Sequence, residues 1–164
     1  MLNSRTYKLT LVALMTALLS VSAYLRIPTP VTPITLQCEV VILGAMLWGR
    51  KVTVSATVLY IIMGLAGLPV FTGGGGIHYV ITPTFGYLLG FILCALVAGN
   101  GKSAYLGLAL IYATGIGYMY IIGEVILGTP IAISVIAISS AVTLPIDVIL
   151  TYFTIKTAKK LKTP

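Results

Sequence analysis

Long apolar runs follow one another along almost the whole chain, and short segments containing proline, glycine or lysine separate them. Of 164 residues, 59% are hydrophobic and 8% are charged, and the mean hydropathy of +1.09 is far too high for a water-soluble domain. Several runs approach the roughly 20 residues that carry a helix across a bilayer, and no ten-residue alternation indicates a barrel. The sequence therefore predicts an all-α integral membrane protein, with residues 1–164 forming a single domain.

Charged residues and helix breakers divide the chain into six predicted transmembrane helices in one bundle. The first is expected to be retained and not to be a signal peptide. Pro145 suits a first helical turn, and Asp147 would then lie near the positive end of the helix dipole. We therefore expect the sixth span to begin near Pro145 and residues 129–143 to form a separate short interfacial or re-entrant helix. The other predicted spans are 8–25, 34–48, 52–67, 83–98 and 103–122.

Basic residues are distributed asymmetrically over this topology. With six spans, Arg26 is the one basic residue expected on the outer side, and nine fall on the side of the termini: Arg5, Lys8, Arg50, Lys51, Lys102, Lys156, Lys159, Lys160 and Lys162. The positive-inside rule then predicts a cell-membrane protein with both termini in the cytoplasm. The net charge of +7 is explained by cytoplasmic anchors that meet anionic lipid, so no nucleic-acid partner is expected.

The reactive side chains are too few and too scattered for catalysis or metal binding. One histidine, two cysteines and three acids show neither metal-ligand spacing nor a nucleophile beside a base. We expect no metal, no cofactor and no enzyme activity, and we expect Cys38 and Cys94 to be buried and unpaired. The remaining classes are a binding or transport protein and, as an alternative, a small channel or structural membrane subunit.

Glycines 73 to 76 stand in a predicted outward loop beside the single histidine. Their bare backbone could let N–H groups approach a small ligand and let the loop close as a lid, with His78 and Tyr79 at its edge. The alternative is a loose hairpin in which His78 is a solvated bystander.

Other polar residues are expected to converge on this outward side. Ionisable groups at membrane depth commonly serve a pathway or a site, which directs attention to Asp147 and Glu39. Asp147 could instead cap a helix, Glu39 could pair with Arg26, and Glu124 could be a solvated loop charge. The other members of the predicted cluster are Gln37, Thr84 and Tyr87.

Four sequence blocks resemble the BioY family, the biotin-binding S components of energy-coupling factor (ECF) transporters. They are PITLQ at 33–37, GLAGLPVFTGGGG at 64–76, PTFGYLLGF at 83–91 and LPID at 144–147. The resemblance implies a six-helix protein that captures a vitamin on the outer face under a loop and releases it inside by toppling. It would dock on a transmembrane coupling subunit driven by two ATPase subunits, and since the chain has no P-loop, any ATP hydrolysis belongs to those partners.

The resemblance also implies where this chain would contact its partners. Ligand contacts would come from Gly74, Gly75, Gly76, Thr84, Tyr87 and Asp147, with the Asp147 carboxylate accepting N–H bonds from the ureido ring of biotin. Docking would use Ala13 and Ala17 in the first span, whose small-x-x-x-small spacing permits close helix approach.

Two positions depart from the family pattern. Phe85 stands where the family has a glycine, and Leu150 stands where it has a lysine three residues after the aspartate. Without this lysine another small acid such as lipoate becomes an alternative ligand, and Arg26 or His78 could meet its carboxylate.

Overall fold

The described part of the chain contains six α-helices, as the sequence predicts. A computed structural model describes residues 4–28, 32–126 and 133–162. By length and composition α1, α5 and α6 can cross a membrane, whereas α2 and α4 are shorter apolar helices. The all-α membrane fold is thus confirmed. The bounds of the helices are α1 (Ser4–Tyr24), α2 (Gln37–Leu47), α3 (Arg50–Leu65), α4 (Phe85–Val97), α5 (Gly101–Ile121) and α6 (Ile133–Lys162).

Helix α2 lies at the centre of the bundle and contacts each of the other five helices. Eight of its 11 residues are buried. At 1.5 Å per residue it is about 16 Å long, far less than the roughly 30 Å of a bilayer core. Because the other helices surround α2, most of its surface contacts protein and not lipid. The buried apolar core around it draws residues from all six helices.

Glycines bring α4 and α5 into close contact. A Cβ added at Gly86 would lie 2.3 Å from Cβ of Tyr118, and one added at Gly90 would lie 2.7 Å from Cα of Ile111. Small residues at a helix interface allow this approach in membrane proteins, where dispersion contacts drive packing. Close packing therefore holds α4 and α5 together along one side of the bundle.

The turn between α4 and α5 is capped by side chains. Asn100 accepts hydrogen bonds from the backbone N–H groups of Lys102 (3.1 Å) and Ser103 (3.0 Å), and Ser103 Oγ in turn accepts from the N–H of Asn100 (3.0 Å). This reciprocal capping box satisfies the first N–H groups of α5. The predicted break at residues 99–102 is thereby confirmed, with α5 beginning two residues earlier than expected.

Helix α6 corrects the predicted start of the sixth span. It is one helix from Ile133 to Lys162, with Pro145 inside it. The predicted separate helix at 129–143 is wrong for 133–143, and residues 129–132 lie outside the described part. Pro145 removes one helical hydrogen bond, but an apolar run packed against neighbouring helices tolerates this loss. Asp147 consequently lies in a helix interior, so its alternative role as an N-terminal cap is also wrong.

The segment after α1 contains a short hairpin. Strands β1 (Arg26–Ile27) and β2 (Ile34–Thr35) pair antiparallel, with Arg26 opposite Thr35 and Ile27 opposite Ile34. A 3₁₀ turn at Ile77–Ile81 precedes α4, and a π-helical turn at Ile122–Ile126 extends α5. Residues of the hairpin and of the segment between α3 and α4 line the same cavity.

Candidate ligand-binding site

A cavity lies under the hairpin, where the first turns of α2 and α4 face α5 and α6. The space between its lining atoms, including the part open to the surroundings, is about 550 Å³. Gln37, Tyr79, Thr84, Tyr87 and Asp147 line it, so five of the nine predicted ligand-binding residues come together.

Asp147 is the one charged side chain among the residues that line the cavity. Its Oδ2 accepts a hydrogen bond of 2.7 Å from the Tyr112 hydroxyl. Its Oδ1 is buried without a hydroxyl or N–H partner among the described residues, although the Cys38 thiol, a weak donor, faces the carboxylate. Buried polar atoms are nearly always satisfied. Oδ1 therefore stands out among the described residues as a buried acceptor without a strong donor.

Gln37 is held in place by a chain of hydrogen bonds. Its Nε2 donates to the Tyr60 hydroxyl (2.7 Å), which donates to the carbonyl of Val70 (3.0 Å). The Tyr60 ring is fully buried, edge-on to Phe71 at a centroid distance of 5.3 Å. These contacts fix the start of α2 relative to α3 and to the segment after it, so Gln37 is presented in one orientation.

Tyr79 contributes a hydroxyl to the cavity and a ring to the core. Its side chain is 4% exposed, and its ring packs on Phe71 with a centroid distance of 4.5 Å. Its hydroxyl is 3.0 Å from Thr72 Oγ1 and 3.4 Å from Thr84 Oγ1. Hydroxyl groups can donate or accept hydrogen bonds, so the hydroxyls of Thr72, Tyr79 and Thr84 can bind either a donor or an acceptor atom of a ligand.

The glycine-rich segment lies beside the cavity and does not line it. The N–H and carbonyl of Gly74 pair with Phe71, and the N–H of Gly76 donates to the carbonyl of Gly64 at 2.7 Å. A Cβ added at Gly75 would lie 2.0 Å from the carbonyl oxygen of Leu68. The glycines thus seat a compact turn on the end of α3, and two of their N–H groups are already used within the protein. His78 is exposed, outside the residues that line the cavity.

Arg26 and Glu39 are not paired with each other, contrary to one expectation. The guanidinium of Arg26 donates to the carbonyl of Thr72, a residue that lines the cavity. Glu39 is buried and accepts hydrogen bonds from Thr151 (3.1 Å) and Thr154 (2.6 Å) of α6. The fold therefore places Arg26 at the rim and uses Glu39 to join α2 to α6.

Several predictions outside the cavity can also be checked. Cys38 and Cys94 are buried and free, as expected. Ala13 and Ala17 are both exposed on α1, and Glu124 is exposed in the π-helical turn.

Sequence reasoning missed other residues that line the cavity, notably Tyr112 and Thr143. Each stands inside an apolar span without a local motif. Their one signal is a hydroxyl group placed at membrane depth.

Comparisons with known proteins agree with this architecture. The BioY family profile matches residues 1–163. A crystal structure described as the S-component for biotin from an ECF-type ABC transporter superposes with a TM-score of 0.74 at 24% identity, covering 100% of this chain and 95% of that one. This likeness concerns the fold.

Relatives from bacteria and archaea extend the match. A Lysinibacillus sphaericus protein named probable biotin transporter BioY is 43% identical over 129 residues, covering 71% of this chain and 66%, just under two thirds, of the relative. A Pyrococcus horikoshii protein of the same name is 39% identical, covering 70% of this chain and 74% of the relative. The biotin transporter BioY of Thermotoga maritima is 38% identical, covering 68% and 69%. From its fold and its match over nearly the whole length, the chain belongs to the BioY family.

Proposed function

We propose that this protein is the substrate-binding S component of an ECF-type vitamin transporter and that its ligand is biotin. The observation that carries the proposal is Oδ1 of Asp147, a residue that lines the cavity, because this buried oxygen has no hydroxyl or N–H partner among the described residues. A buried carboxylate oxygen that has only a weak thiol donor nearby favours a stronger hydrogen-bond donor, and the ureido ring of biotin supplies N–H groups. The names of the relatives and of the similar structure support the same ligand.

The lining of the cavity suits an amphipathic acid of this kind. Tyr87 and Tyr112 are edge to face with a centroid distance of 5.9 Å, which provides ring surface for an apolar body. The hydroxyls of Tyr79 and Thr84 and the amide of Gln37 add polar contacts. The carboxylate of biotin would lie toward the rim, where Arg26 is bonded to Thr72.

Lipoate, the alternative ligand, fits this arrangement less well. Its ring carries no N–H donor for Asp147, and a second carboxylate near that side chain would be repelled. The two departures from the family pattern, Phe85 and Leu150, also give little support to another ligand. Phe85 is 6% exposed and packs beside Tyr118 at a centroid distance of 5.8 Å, and neither Phe85 nor Leu150 is among the residues that line the cavity.

The remaining expectations belong to the same proposal. The chain acts as a single domain in the cell membrane with both termini in the cytoplasm, so the cavity opens outward. Gly74 to Gly76, His78 and Tyr79 form the segment that moves when the site opens. Exposed Ala13 and Ala17 on α1 dock on the coupling subunit, and two ATPase subunits supply the energy. The protein itself binds and does not catalyse.

Calorimetric titration of the purified protein in detergent with biotin and, in parallel, with lipoate tests the proposal. Tight one-to-one binding of biotin and no heat from lipoate are expected. Binding of lipoate alone would assign the site to a different acid. Binding of neither would favour a structural membrane subunit.

A further inference from the structure

The side chain of Tyr87 forms part of the wall of the cavity that contains Asp147. Tyr87 lies on α4, and its ring meets the ring of Tyr112 on α5 edge to face at a centroid distance of 5.9 Å. Gly115, three residues further along α5, is buried but is not among the residues that line the cavity. The position of the Tyr87 ring therefore decides how wide the cavity is on the side of α5.

The Tyr87 ring lies directly on the backbone of α5 at Gly115. A Cβ added at Gly115 would lie 2.6 Å from Cε1 and Cζ of Tyr87 and 2.7 Å from its Cδ1. Carbon atoms that are not bonded to each other are best separated by about 3.5–4.0 Å, so a methyl group at this position would overlap the ring. Three neighbouring ring atoms are almost equally close, so the ring covers Gly115 along a whole edge.

Other contacts surround the Tyr87 ring on the sides that do not face the cavity. Tyr112 stands beside it on α5. Its hydroxyl lies toward Thr32 of the hairpin, and Thr32 Oγ1 is 2.6 Å from Ser139 Oγ of α6. The hydroxyl end of the ring is thus enclosed where the hairpin meets α6. A ring displaced from Gly115 would consequently move into the cavity.

We propose that Gly115 sets the width of the cavity and thereby selects the ligand by size. Without a side chain at Gly115, the Tyr87 ring packs against α5 and leaves room for a fused ring system beside Asp147. A larger residue would push the ring into that room. Gly115 is therefore a positioning residue that acts through Tyr87 and does not contact the ligand. The inference rests on the proposed function, because it concerns the ligand assigned there.

The test is Gly115→Ala, and Gly117→Ala is its matched control. Both exchange a glycine of α5 for alanine and change the helix propensity alike, but a Cβ at Gly117 would have no atom within 4 Å. The affinities for biotin and for desthiobiotin are measured by calorimetry. Desthiobiotin keeps the N–H groups and the carboxylate of biotin but lacks the sulfur-containing ring, so it requires less width.

The two ligands should respond differently. In Gly115→Ala the dissociation constant for biotin should rise roughly tenfold or more, and that for desthiobiotin should rise clearly less. In Gly117→Ala both constants should change less than about twofold. Equal losses for both ligands in Gly115→Ala would indicate general damage to the fold and would overturn the proposal. Unaltered affinity for biotin in that variant would overturn it too.

A double variant, Gly115→Ala with Tyr87→Ala, tests whether the effect passes through the ring. It also serves if Gly115→Ala alone does not fold, because removal of the ring leaves space for the new methyl group. Compared with Tyr87→Ala by itself, the double variant should show the same affinity and the same midpoint of thermal unfolding. A further loss in the double variant would mean that Gly115 acts through another contact, which would overturn the proposal.

A measurement without ligand separates this inference from the proposed function. The ten tyrosines are replaced by fluorotyrosine, and the fluorine NMR resonance of Tyr87 is identified by its loss in Tyr87→Ala. This resonance should shift in Gly115→Ala and stay in place in Gly117→Ala, and an unshifted resonance in both would overturn the inference. If the unmodified protein bound neither ligand, the proposed function would fail, and the resonance would still decide whether Gly115 positions the ring.

Discussion

Replacement of Asp147 by asparagine tests the proposed site most directly. The substitution keeps the size of the side chain, and the new amide oxygen can still accept from the Tyr112 hydroxyl, which lies 2.7 Å from Oδ2 in the native protein. The amide nitrogen then takes the place of the free Oδ1. An N–H donor would face the N–H donors of the ligand, so one hydrogen bond is lost and two donors are opposed.

The magnitude follows from the kind of bond that is lost. A hydrogen bond to a charged group contributes about 1.5–3 kcal/mol. Since about 1.4 kcal/mol corresponds to a tenfold change, the dissociation constant for biotin should rise roughly ten- to hundredfold. The midpoint of thermal unfolding should change little, because the contact with Tyr112 survives.

Glu39→Gln provides the matched control. Glu39 is the other buried acid, bonded to Thr151 and Thr154 and absent from the lining of the cavity. Calorimetry on both variants should show a large loss of affinity for Asp147→Asn and a change below about twofold for Glu39→Gln. Unaltered affinity in Asp147→Asn would remove this residue from the site. An equal loss in both variants would show that the buried charge acts at a distance and not by contact.

Three further substitutions test the fold and the proposed docking. Gly64→Ala would bring a Cβ to 2.0 Å from the buried ring of Phe71, so it should destabilise the protein by about 1–3 kcal/mol in thermal unfolding; Gly117→Ala, with no atom within 4 Å of its Cβ, is the control and should not. Gly75→Val would place a Cβ 2.0 Å from a backbone carbonyl oxygen and should weaken biotin binding, and normal capture would separate this turn from the site. Ala13→Trp should leave binding intact yet block uptake by the assembled transporter, whereas loss of both would contradict a dedicated docking face.

The sequence was sufficient to predict the class of protein and most of the helices. The composition determines that the chain lies in a membrane, because helices built from 59% hydrophobic residues are not stable in water. Breakers such as the segment at 99–102 then place helix ends from local chemistry alone. The prediction failed at Pro145, where local chemistry favours a helix start and the packing of α6 against its neighbours maintains a continuous helix.

Which residues line the cavity depended on contacts between distant parts of the chain, and no local sequence pattern encodes such contacts. Tyr112 and Asp147 are 35 residues apart and meet because α5 and α6 are adjacent. Residue chemistry and the four sequence blocks both directed the prediction to Thr84, Tyr87 and Asp147. They also directed it to Gly74 to Gly76, which the fold uses to seat a turn on α3.

The sequence by itself thus determined that the protein lies in a bilayer, that it is helical and in which order its spans follow. These properties depend on the character of neighbouring residues and on the free energy of placing those residues in lipid. The tertiary structure decided which polar groups remain free. Arg26 and Glu39 found partners in Thr72, Thr151 and Thr154, while one oxygen of Asp147 found neither a hydroxyl nor an N–H donor. Whether a polar group is satisfied depends on atoms brought together from distant parts of the chain, and only the packed bundle specifies them.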